Sequence, residues 1–243
     1  QTLALNGATV VVVDIQTPDD LHRGIIFYRC DLSSPTDVTT TYSRIVKEVG
    51  PITVLVNNAG TLRPGPVRQE TQIDAQHTFQ VNVLAPIQLT QLVLGSMLEA
   101  RHGHIVNVSS ALGYSGACQA GSYAASKAAL FTYSDSLRQE LKHLYRAANQ
   151  VHLTVVAPGF LNTALFGGVH IPHPFWFPTV EPLDLALAIT AAIEQRLSRD
   201  IRLPLYAKGM PLMPAMPTWL KDLCHSIGGA NHAMVTHHKC HQA

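Results

Sequence analysis

Short runs of β-branched and other apolar residues recur along the chain, and most of them end on a polar or small residue. They cover residues 8–13, 24–32, 52–56, 104–108, 151–156 and 201–203. Apolar runs of this length predict buried strands. Between them, apolar residues at helical spacing predict helices over about residues 35–49, 70–100, 122–146 and 183–197. The alternation of strands and helices predicts an α/β fold with a parallel sheet.

Composition narrows the function classes only slightly. The chain has 243 residues, 47% of them hydrophobic, and a formal net charge of +1, which predicts one domain with a sizeable core and no bulk attraction to nucleic acid. Four widely spaced cysteines, Cys30, Cys118, Cys224 and Cys240, favour reduced thiols. No signal peptide is evident, and no apolar run reaches the roughly 20 residues that span a bilayer. The sequence therefore predicts a soluble or at most peripheral chain.

A candidate proton-transfer pair lies in an alanine-rich stretch. Tyr123 and Lys127 are four residues apart, and on a helix this spacing places both side chains on one face. A neighbouring ammonium lowers the pKa of a phenol, so the pair is suited to proton exchange near neutral pH. Upstream, a predicted strand ends at Ser109 and Ser110, which presents a hydroxyl that polarises a carbonyl or holds an alcohol. A solvated helix face can also carry a tyrosine and a lysine at this spacing by chance. The neighbouring motifs must therefore decide between a proton-transfer pair and a solvated face.

Two more strand ends supply those motifs. Residues 57–60 (Asn-Asn-Ala-Gly) close one apolar run, and residues 157–159 (Ala-Pro-Gly) close another. With Ser110 and Tyr123-x-x-x-Lys127 between them, the chain resembles the short-chain dehydrogenase/reductase family over nearly its whole length.

The likeness extends to one branch of that family. It runs from Gly50-Pro51 through residues 102–106 to Leu203-Pro204 and is most similar to the membrane-associated retinol and 17-beta-hydroxysteroid dehydrogenase-like branch. This resemblance implies a single Rossmann-like domain with a doubly wound parallel sheet. It also implies a first strand and a glycine-rich loop, which are missing here, because residues 1–7 predict the end of a helix with Gly7 as its C-cap. We therefore expect a fragment that begins within the first helix.

The resemblance implies an NAD site at the carboxyl ends of the strands. The residues that match the family's cofactor contacts are Asp14, Asp31, Leu32, Asn58, Ala59, Gly60, Tyr123, Lys127, Pro158, Gly159 and Thr163. An acid such as Asp14 at a strand end accepts hydrogen bonds from ribose hydroxyls and repels a 2′-phosphate, which favours NAD over NADP. The alternative for Asp14 is a surface side chain that opens the turn to Pro18.

The catalytic residues implied by the resemblance are Ser110, Tyr123, Lys127 and Asn82. In this interpretation Tyr123 is the general acid/base, Lys127 lowers its pKa and holds the nicotinamide ribose, and Ser110 binds the reacting oxygen. Asn82 lies among apolar residues, and a buried amide needs hydrogen-bond partners. The family places an asparagine there to support a proton relay, and the alternative is a helix residue satisfied by a neighbouring turn.

Residues 160–178 combine glycines with aromatic residues and predict a hinge and a lid over the substrate. Contact by Phe175, Trp176 and Phe177 suggests a lipid-like or ring-bearing alcohol, and the alternative is that they only cover the core. We expect a domain over residues 1–203 and an extension over 204–243 that docks on the domain or lies at a membrane surface. The terminal histidines and Cys240, like His170 and His173, lack a convincing second cluster, so no metal site is predicted.

The implied function is oxidoreduction of a retinoid, steroid or other lipid-like alcohol and its carbonyl with NAD, or less favourably NADP. The alternatives are an inactive truncated remnant and a membrane-peripheral binding protein. The branch implies the cytoplasmic side of the endoplasmic reticulum or lipid droplets, and the family's dimer helix makes a homodimer a further expectation for residues 122–146.

Overall fold

The computed structural model of the chain describes residues 1–18, 22–163 and 177–228. Its strands are β1 (Val10–Asp14), β2 (Ile25–Arg29), β3 (Val54–Asn57), β4 (Gly103–Val108), β5 (Val151–Pro158) and β6 (Asp200–Leu203). Its helices are α1 (Thr2–Leu5), α2 (Pro35–Glu48), α3 (Gln72–Phe79), α4 (Ala85–Glu99), α5 (Gly121–Gln139), α6 (Pro182–Glu194) and α7 (Thr218–Gly228). The predicted α/β architecture is confirmed, with strand ends that differ by a few residues.

The strands form two parallel sheets. One contains β1 and β2, and the other has the order β3-β4-β5-β6. Among the described residues, no strand joins the β1–β2 pair to β3. The sequence predicts a missing strand at this position. Because every pair is parallel, the carboxyl ends of the strands lie at one edge, and register places Asn57 opposite Asn107 there.

Local sequence explains where several helices begin and end. The Ser34 hydroxyl accepts a hydrogen bond from the amide of Asp37 at 3.3 Å, and Pro35 occupies the first turn of α2. At the end of α1, Gly7 has a φ of +88°, and the amides of Gly7 and Ala8 donate to the carbonyls of Ala4 and Leu3. This is a Schellman cap, and it confirms the predicted glycine stop.

The helices predicted over residues 70–100 and 122–146 each contain a π-helical turn. These turns are Gln80–Leu84, between α3 and α4, and Glu140–Leu144, after α5. The predicted helical ranges did not include these turns, since apolar periodicity does not reveal one extra residue in a turn. Such turns are frequent at functional sites, and the first one contains Asn82.

Two hydrophobic clusters cover the two faces of the four-stranded sheet. On one face, helices α4 and α5 pack Val93, Met97 and Leu137 against Ile105 and Leu153. On the other, α6 covers Val106, Val156 and Ile201 with Leu185 and Ala192. Leu130, Leu137 and Leu141 are core residues, whereas Leu144 is 67% exposed.

One helical stretch, Gln72–Glu99, is long and apolar enough to cross a membrane by length and composition. The sequence analysis did not predict this, because charged and polar residues interrupt its apolar runs. Of the most apolar part of the stretch, 44% is buried in the protein, and Val93 and Met97 are fully enclosed in the core. These contacts are those of a core helix of an α/β domain.

The C-terminal segment returns over the carboxyl edge of the sheet. It contains two 3₁₀ helices, Leu205–Lys208 and Met210–Ala215, followed by α7. Tyr206 contacts Phe177 edge to face, with ring centroids 5.1 Å apart, and His225 on α7 bonds to Ser115. Residues 205–228 thus pack on the domain, which is the arrangement favoured for the extension.

Candidate active site

A cleft of about 500 Å³ lies at the carboxyl edge of the strands. It crosses both sheets, because residues from the ends of β1, β2, β3, β4 and β5 all line it. The predicted residues in its wall are Asp14, Asp31, Leu32, Asn58, Ala59, Gly60, Ser110, Tyr123, Lys127, Pro158, Gly159 and Thr163. The structure therefore brings all the predicted cofactor residues together, and their roles remain predictions.

Tyr123 and Lys127 lie on α5 and are buried, with 5% and 3% of their surface exposed. The Lys127 ammonium donates a hydrogen bond to the carbonyl oxygen of Val108, the last residue of β4, at 2.9 Å. The same nitrogen lies 5.8 Å from the centroid of the Tyr123 ring. The helix thus fixes the phenol and the amine next to the end of β4, on one face as their spacing predicts.

Ser109 and Ser110 follow β4 directly and have different partners. The Ser109 hydroxyl donates to the carbonyl of Lys127 at 2.8 Å, which ties the strand end to α5. The Ser110 hydroxyl accepts from the amide of Leu112 at 3.2 Å and also hydrogen bonds with Tyr123. Ser110, and not Ser109, is therefore the serine that reaches the phenol.

Burial dominates the proton affinity of both α5 groups. It raises the pKa of Tyr123 to about 12, and the hydrogen bond with Ser110 lowers that pKa by less. Burial also lowers the pKa of Lys127 to about 8. The pKa of Tyr123 is therefore raised in this structure, not lowered as expected, because a poorly solvated environment disfavours the phenolate and the ammonium alike.

Asn82 lies directly behind the cleft and is completely buried. Its Oδ1 accepts from the amide of Thr61 at 2.8 Å, and its Nδ2 donates to the Thr61 carbonyl and to the Ser126 hydroxyl, each at 3.0 Å. A Cβ on Gly60 would lie 3.4 Å from both Asn82 Oδ1 and Lys127 Nζ. Asn82 thus anchors the loop after β3 to α5, and glycine at 60 leaves the gap beside Lys127 open.

The two acids at the far end of the cleft differ in their surroundings. Asp14 is exposed at the end of β1 and accepts from the amide of Gln16 at 3.0 Å, so it also opens the turn, as the alternative for it states. Asp31 accepts from the amide and the hydroxyl of Ser33 at 2.8 and 2.7 Å. These two hydrogen bonds lower the pKa of Asp31 and keep it charged.

A sequence profile described as short chain dehydrogenase matches residues 1–170. The chain belongs to the short-chain dehydrogenase family. Human 17-beta-hydroxysteroid dehydrogenase 13 is 34% identical over 166 residues, which are 68% of this chain and 54% of that protein. Human retinol dehydrogenase 10 is 35% identical over 161 residues, which are 65% of this chain and 46% of that protein. The chain thus spans about half the length of these relatives.

Solved structures agree with this placement at the level of the fold. A short-chain dehydrogenase from Streptomyces avermitilis superimposes with a TM-score of 0.75 at 22% identity, covering 93% of this chain and 90% of that one. The Rossmann-like, doubly wound fold is therefore confirmed. The relatives named above include members of the predicted retinol and hydroxysteroid dehydrogenase-like branch.

Sequence reasoning missed a histidine in this short-chain dehydrogenase's cleft. His77, on α3, lines the cleft near Asp31, and its Nδ1 is buried with no hydrogen-bond partner in the described part of the chain. His77 lies in the last turn of α3 and belongs to no motif, so no sequence signal indicated it. An unpaired buried nitrogen beside Asp31 fits a cleft that receives a polar ligand.

A second cavity of about 320 Å³ adjoins the cleft of the short-chain dehydrogenase. Ser110 and Gly159 line both spaces. The remaining wall is mostly apolar and consists of Ala111, Leu112, Ser115, Phe160, Phe177, Tyr206, Gly209, Met210, Met213, Met216, Cys224, His225, Ile227 and Gly228. Phe177 thus lines a cavity, whereas Phe175 and Trp176 lie outside the described residues.

Tyr206 and Gly159 fit together at the junction of the two spaces. The Tyr206 hydroxyl accepts from the amide of Phe160 at 3.1 Å, and a Cβ on residue 159 would lie only 2.0 Å from that hydroxyl oxygen. Glycine at 159 is therefore required for Tyr206 to reach the turn. Sequence reasoning identified Gly159 from the motif but not its partner 47 positions later in the chain.

The described residues contain no group of three histidine, cysteine or acidic side chains that could hold a metal ion. His170, His173, Cys240 and the terminal histidines lie outside the described residues.

Proposed function

We propose that this chain is the catalytic part of a nicotinamide-dependent oxidoreductase that interconverts a lipid-like alcohol and its carbonyl compound. The observation that carries the proposal is the position of Ser110. It touches Tyr123, it lines the polar cleft, and it lines the apolar cavity next to that cleft. A group held by Ser110 therefore lies between a proton donor and a space suited to an apolar molecule.

The cleft fits a nicotinamide dinucleotide in size and in donor set. Asp14 and Asp31 at one end would accept hydrogen bonds from the adenosine half, and Lys127 and Thr163 at the other would hold the nicotinamide half. The bound cofactor would supply or accept the hydride. The unpaired Nδ1 of His77 offers a further hydrogen bond within the same space.

The protein's own residues supply the proton and hold the substrate oxygen. With its pKa at about 12, Tyr123 is protonated near neutral pH and is ready to donate to a carbonyl oxygen. Ser110 donates a second hydrogen bond to that oxygen once its contact with Tyr123 is exchanged for the substrate. The Lys127 amine, with a pKa near 8, exchanges protons readily, and Asn82 fixes the loop beside it.

Asp14 supports NAD rather than NADP as the cofactor. It is exposed at the end of β1 and lines the cleft, where a carboxylate repels a 2′-phosphate. Binding of NADH and NADPH to the chain, measured by nicotinamide fluorescence, tests this preference. Equal or tighter binding of NADPH would contradict it.

Replacing Tyr123 by phenylalanine tests the chemistry. We expect NADH-dependent reduction of retinoid or steroid carbonyls to fall by ~100-fold or more, because general acid catalysis contributes 10²–10⁴-fold, while NADH affinity stays near that of the parent. Tyr133→Phe, on the same helix but outside both cavities, is the matched control. Near-normal turnover by Tyr123→Phe would refute the mechanism.

The remnant alternative predicts a different pattern. A folded chain that does not bind NADH at any accessible concentration would favour a non-catalytic remnant over an enzyme. Circular dichroism and a cooperative unfolding transition establish whether the chain is folded, so that loss of the fold is distinguished from loss of the function.

Contact with a lipid surface is supported by the exposed apolar side chains of α7. Trp219, Leu223 and Ile227 are 68%, 49% and 56% exposed, and this helix also covers the apolar cavity. We expect the chain to sediment with phosphatidylcholine vesicles and Trp219→Ser to weaken this binding by about tenfold or more, since burying an aromatic side chain contributes about 1.5–3 kcal/mol. Absence of any sedimentation would remove the membrane-surface part of the proposal.

A further inference from the structure

Polar groups are few in the described wall of the 320 Å³ cavity, and they occur in two places. Ser110 and the Tyr206 hydroxyl lie where the cavity meets the cleft. Elsewhere, the Ser115 hydroxyl and Nε2 of His225 form a hydrogen bond of 2.9 Å between the loop after β4 and α7. In apolar sites a small number of placed polar groups fixes the orientation of the ligand.

The separation of these two places follows from the backbone between them. Three successive amides donate to carbonyls three residues earlier: Gly113 to Ser110 at 2.9 Å, Tyr114 to Ala111 at 3.1 Å and Ser115 to Leu112 at 3.3 Å. This is a 3₁₀ arrangement, which advances about 2 Å per residue, so Ser115 lies roughly 10 Å beyond Ser110. A molecule that contacts both must be longer than a short alkanol.

The wall between the two polar places suits a bulky apolar body. Met210, Met213 and Met216 contribute flexible thioether side chains, and Phe177 and Ile227 contribute rigid apolar surface. Methionine adapts to irregular shapes, and thioethers make favourable contacts with rings. The wall therefore accepts ligands whose apolar parts differ in shape, while the two polar places select ligands by the distance between their polar groups.

We infer that Ser115 and His225 form a specificity-determining pair that binds a second, uncharged polar group of the substrate. Both side chains donate and accept hydrogen bonds, and the described wall contains no lysine or arginine, which matches a hydroxyl or a carbonyl rather than a carboxylate or a phosphate. The substrate class is then an apolar body with oxygen functions about 10 Å apart. This rests on the proposed function in one respect, namely that Ser110 holds the reacting oxygen.

Calorimetric binding to the full chain tests the inference without turnover. The probes are alkanediols with a hydroxyl at each end, in six- and eight-carbon lengths that bracket this separation when extended, and the corresponding simple alkanols. We expect one of the diols to bind roughly three- to tenfold more tightly than its alkanol, the value of one net hydrogen bond. His225→Phe should abolish that preference and leave alkanol affinity within about twofold, because the ring volume is kept. Ser226→Ala, next to His225 on the exposed side of α7, should retain it.

The outcomes distinguish ligand binding by the pair from a purely structural role of His225. If His225→Phe weakens diol and alkanol equally, His225 only holds α7 in place and the inference is overturned. No diol preference in the parent chain at either length overturns it as well. A preserved preference in a chain with no NADH-dependent turnover would uphold the Ser115–His225 pair and remove the proposed function instead.

Discussion

Acid should destabilise this protein through His104, a buried histidine in the middle of the sheet. His104 is 3% exposed on β4, its Nε2 bonds to Thr154 at 2.9 Å, and its Nδ1 has no hydrogen-bond partner among the described residues. Burial lowers its pKa from 6.5 to about 4, and repulsion from His152, opposite it on β5, acts in the same direction. Protonation would place a charge in the core with one nitrogen unpaired.

The size of the effect follows from that shift. Because the folded chain binds this proton more weakly than the unfolded chain, the stabilisation is fully present above pH 6.5 and is lost as the pH falls towards 4. The total loss is about 3 kcal/mol, of which about 2 kcal/mol is reached near pH 5. For a chain of this size, the loss of about 2 kcal/mol near pH 5 lowers the urea midpoint of unfolding by roughly 0.8 M.

The measurement is urea unfolding of the cofactor-free chain near pH 8 and pH 5, for the parent and for His104→Gln. Glutamine keeps a polar group near Thr154 but does not titrate. Between pH 8 and pH 5, the free energy of unfolding of the variant should therefore fall by about 2 kcal/mol less than that of the parent. His143→Gln removes an exposed histidine and should behave as the parent does. Equal losses in the parent and in His104→Gln would refute the reasoning.

Two further substitutions test contacts around the cleft. Gly159→Ala should destabilise the chain by about 1–3 kcal/mol, since its Cβ would lie 2.0 Å from the Tyr206 hydroxyl oxygen, and thermal unfolding should show a melting temperature lower by roughly 5 °C. An unchanged melting temperature would contradict that contact. Asn82→Ala should cost about 1–3 kcal/mol for each Thr61 backbone group left unsatisfied, measured by urea unfolding, whereas a loss below ~0.5 kcal/mol would show that water replaces the amide.

Much of the fold and the cleft was predictable because the information is local. A β-branched run that ends on a polar residue specifies both a strand and its exposed end, and parallel pairing then brings such ends to one edge. That is why Asp14, Asn58, Ser110 and Gly159 could be predicted to lie together. The four-residue spacing of Tyr123 and Lys127 likewise needs only the geometry of one helix.

The remainder depends on contacts between distant parts of the chain. Tyr206 reaches Phe160 across 46 positions, and His225 reaches Ser115 across 110, with no periodicity that links them. The pKa of Tyr123 was predicted in the wrong direction because desolvation depends on how completely the neighbours enclose the phenol, which a pair spacing does not reveal. The surroundings of Asn82 could not be predicted for a similar reason, since its side chain forms hydrogen bonds with the distant residues Thr61 and Ser126.

The two adjoining spaces are built largely from different parts of the chain. Every described residue that lines the polar cleft lies at or before Thr163, within the stretch that matches the family profile, whereas most of the described wall of the apolar cavity comes from residue 177 onwards. Substitutions from residue 177 onwards should therefore reshape mainly the apolar cavity, whereas Tyr206 also packs against Gly159, which lines both spaces. Chimaeras joined near residue 163 should therefore combine the polar cleft of one chain with most of the apolar cavity of another.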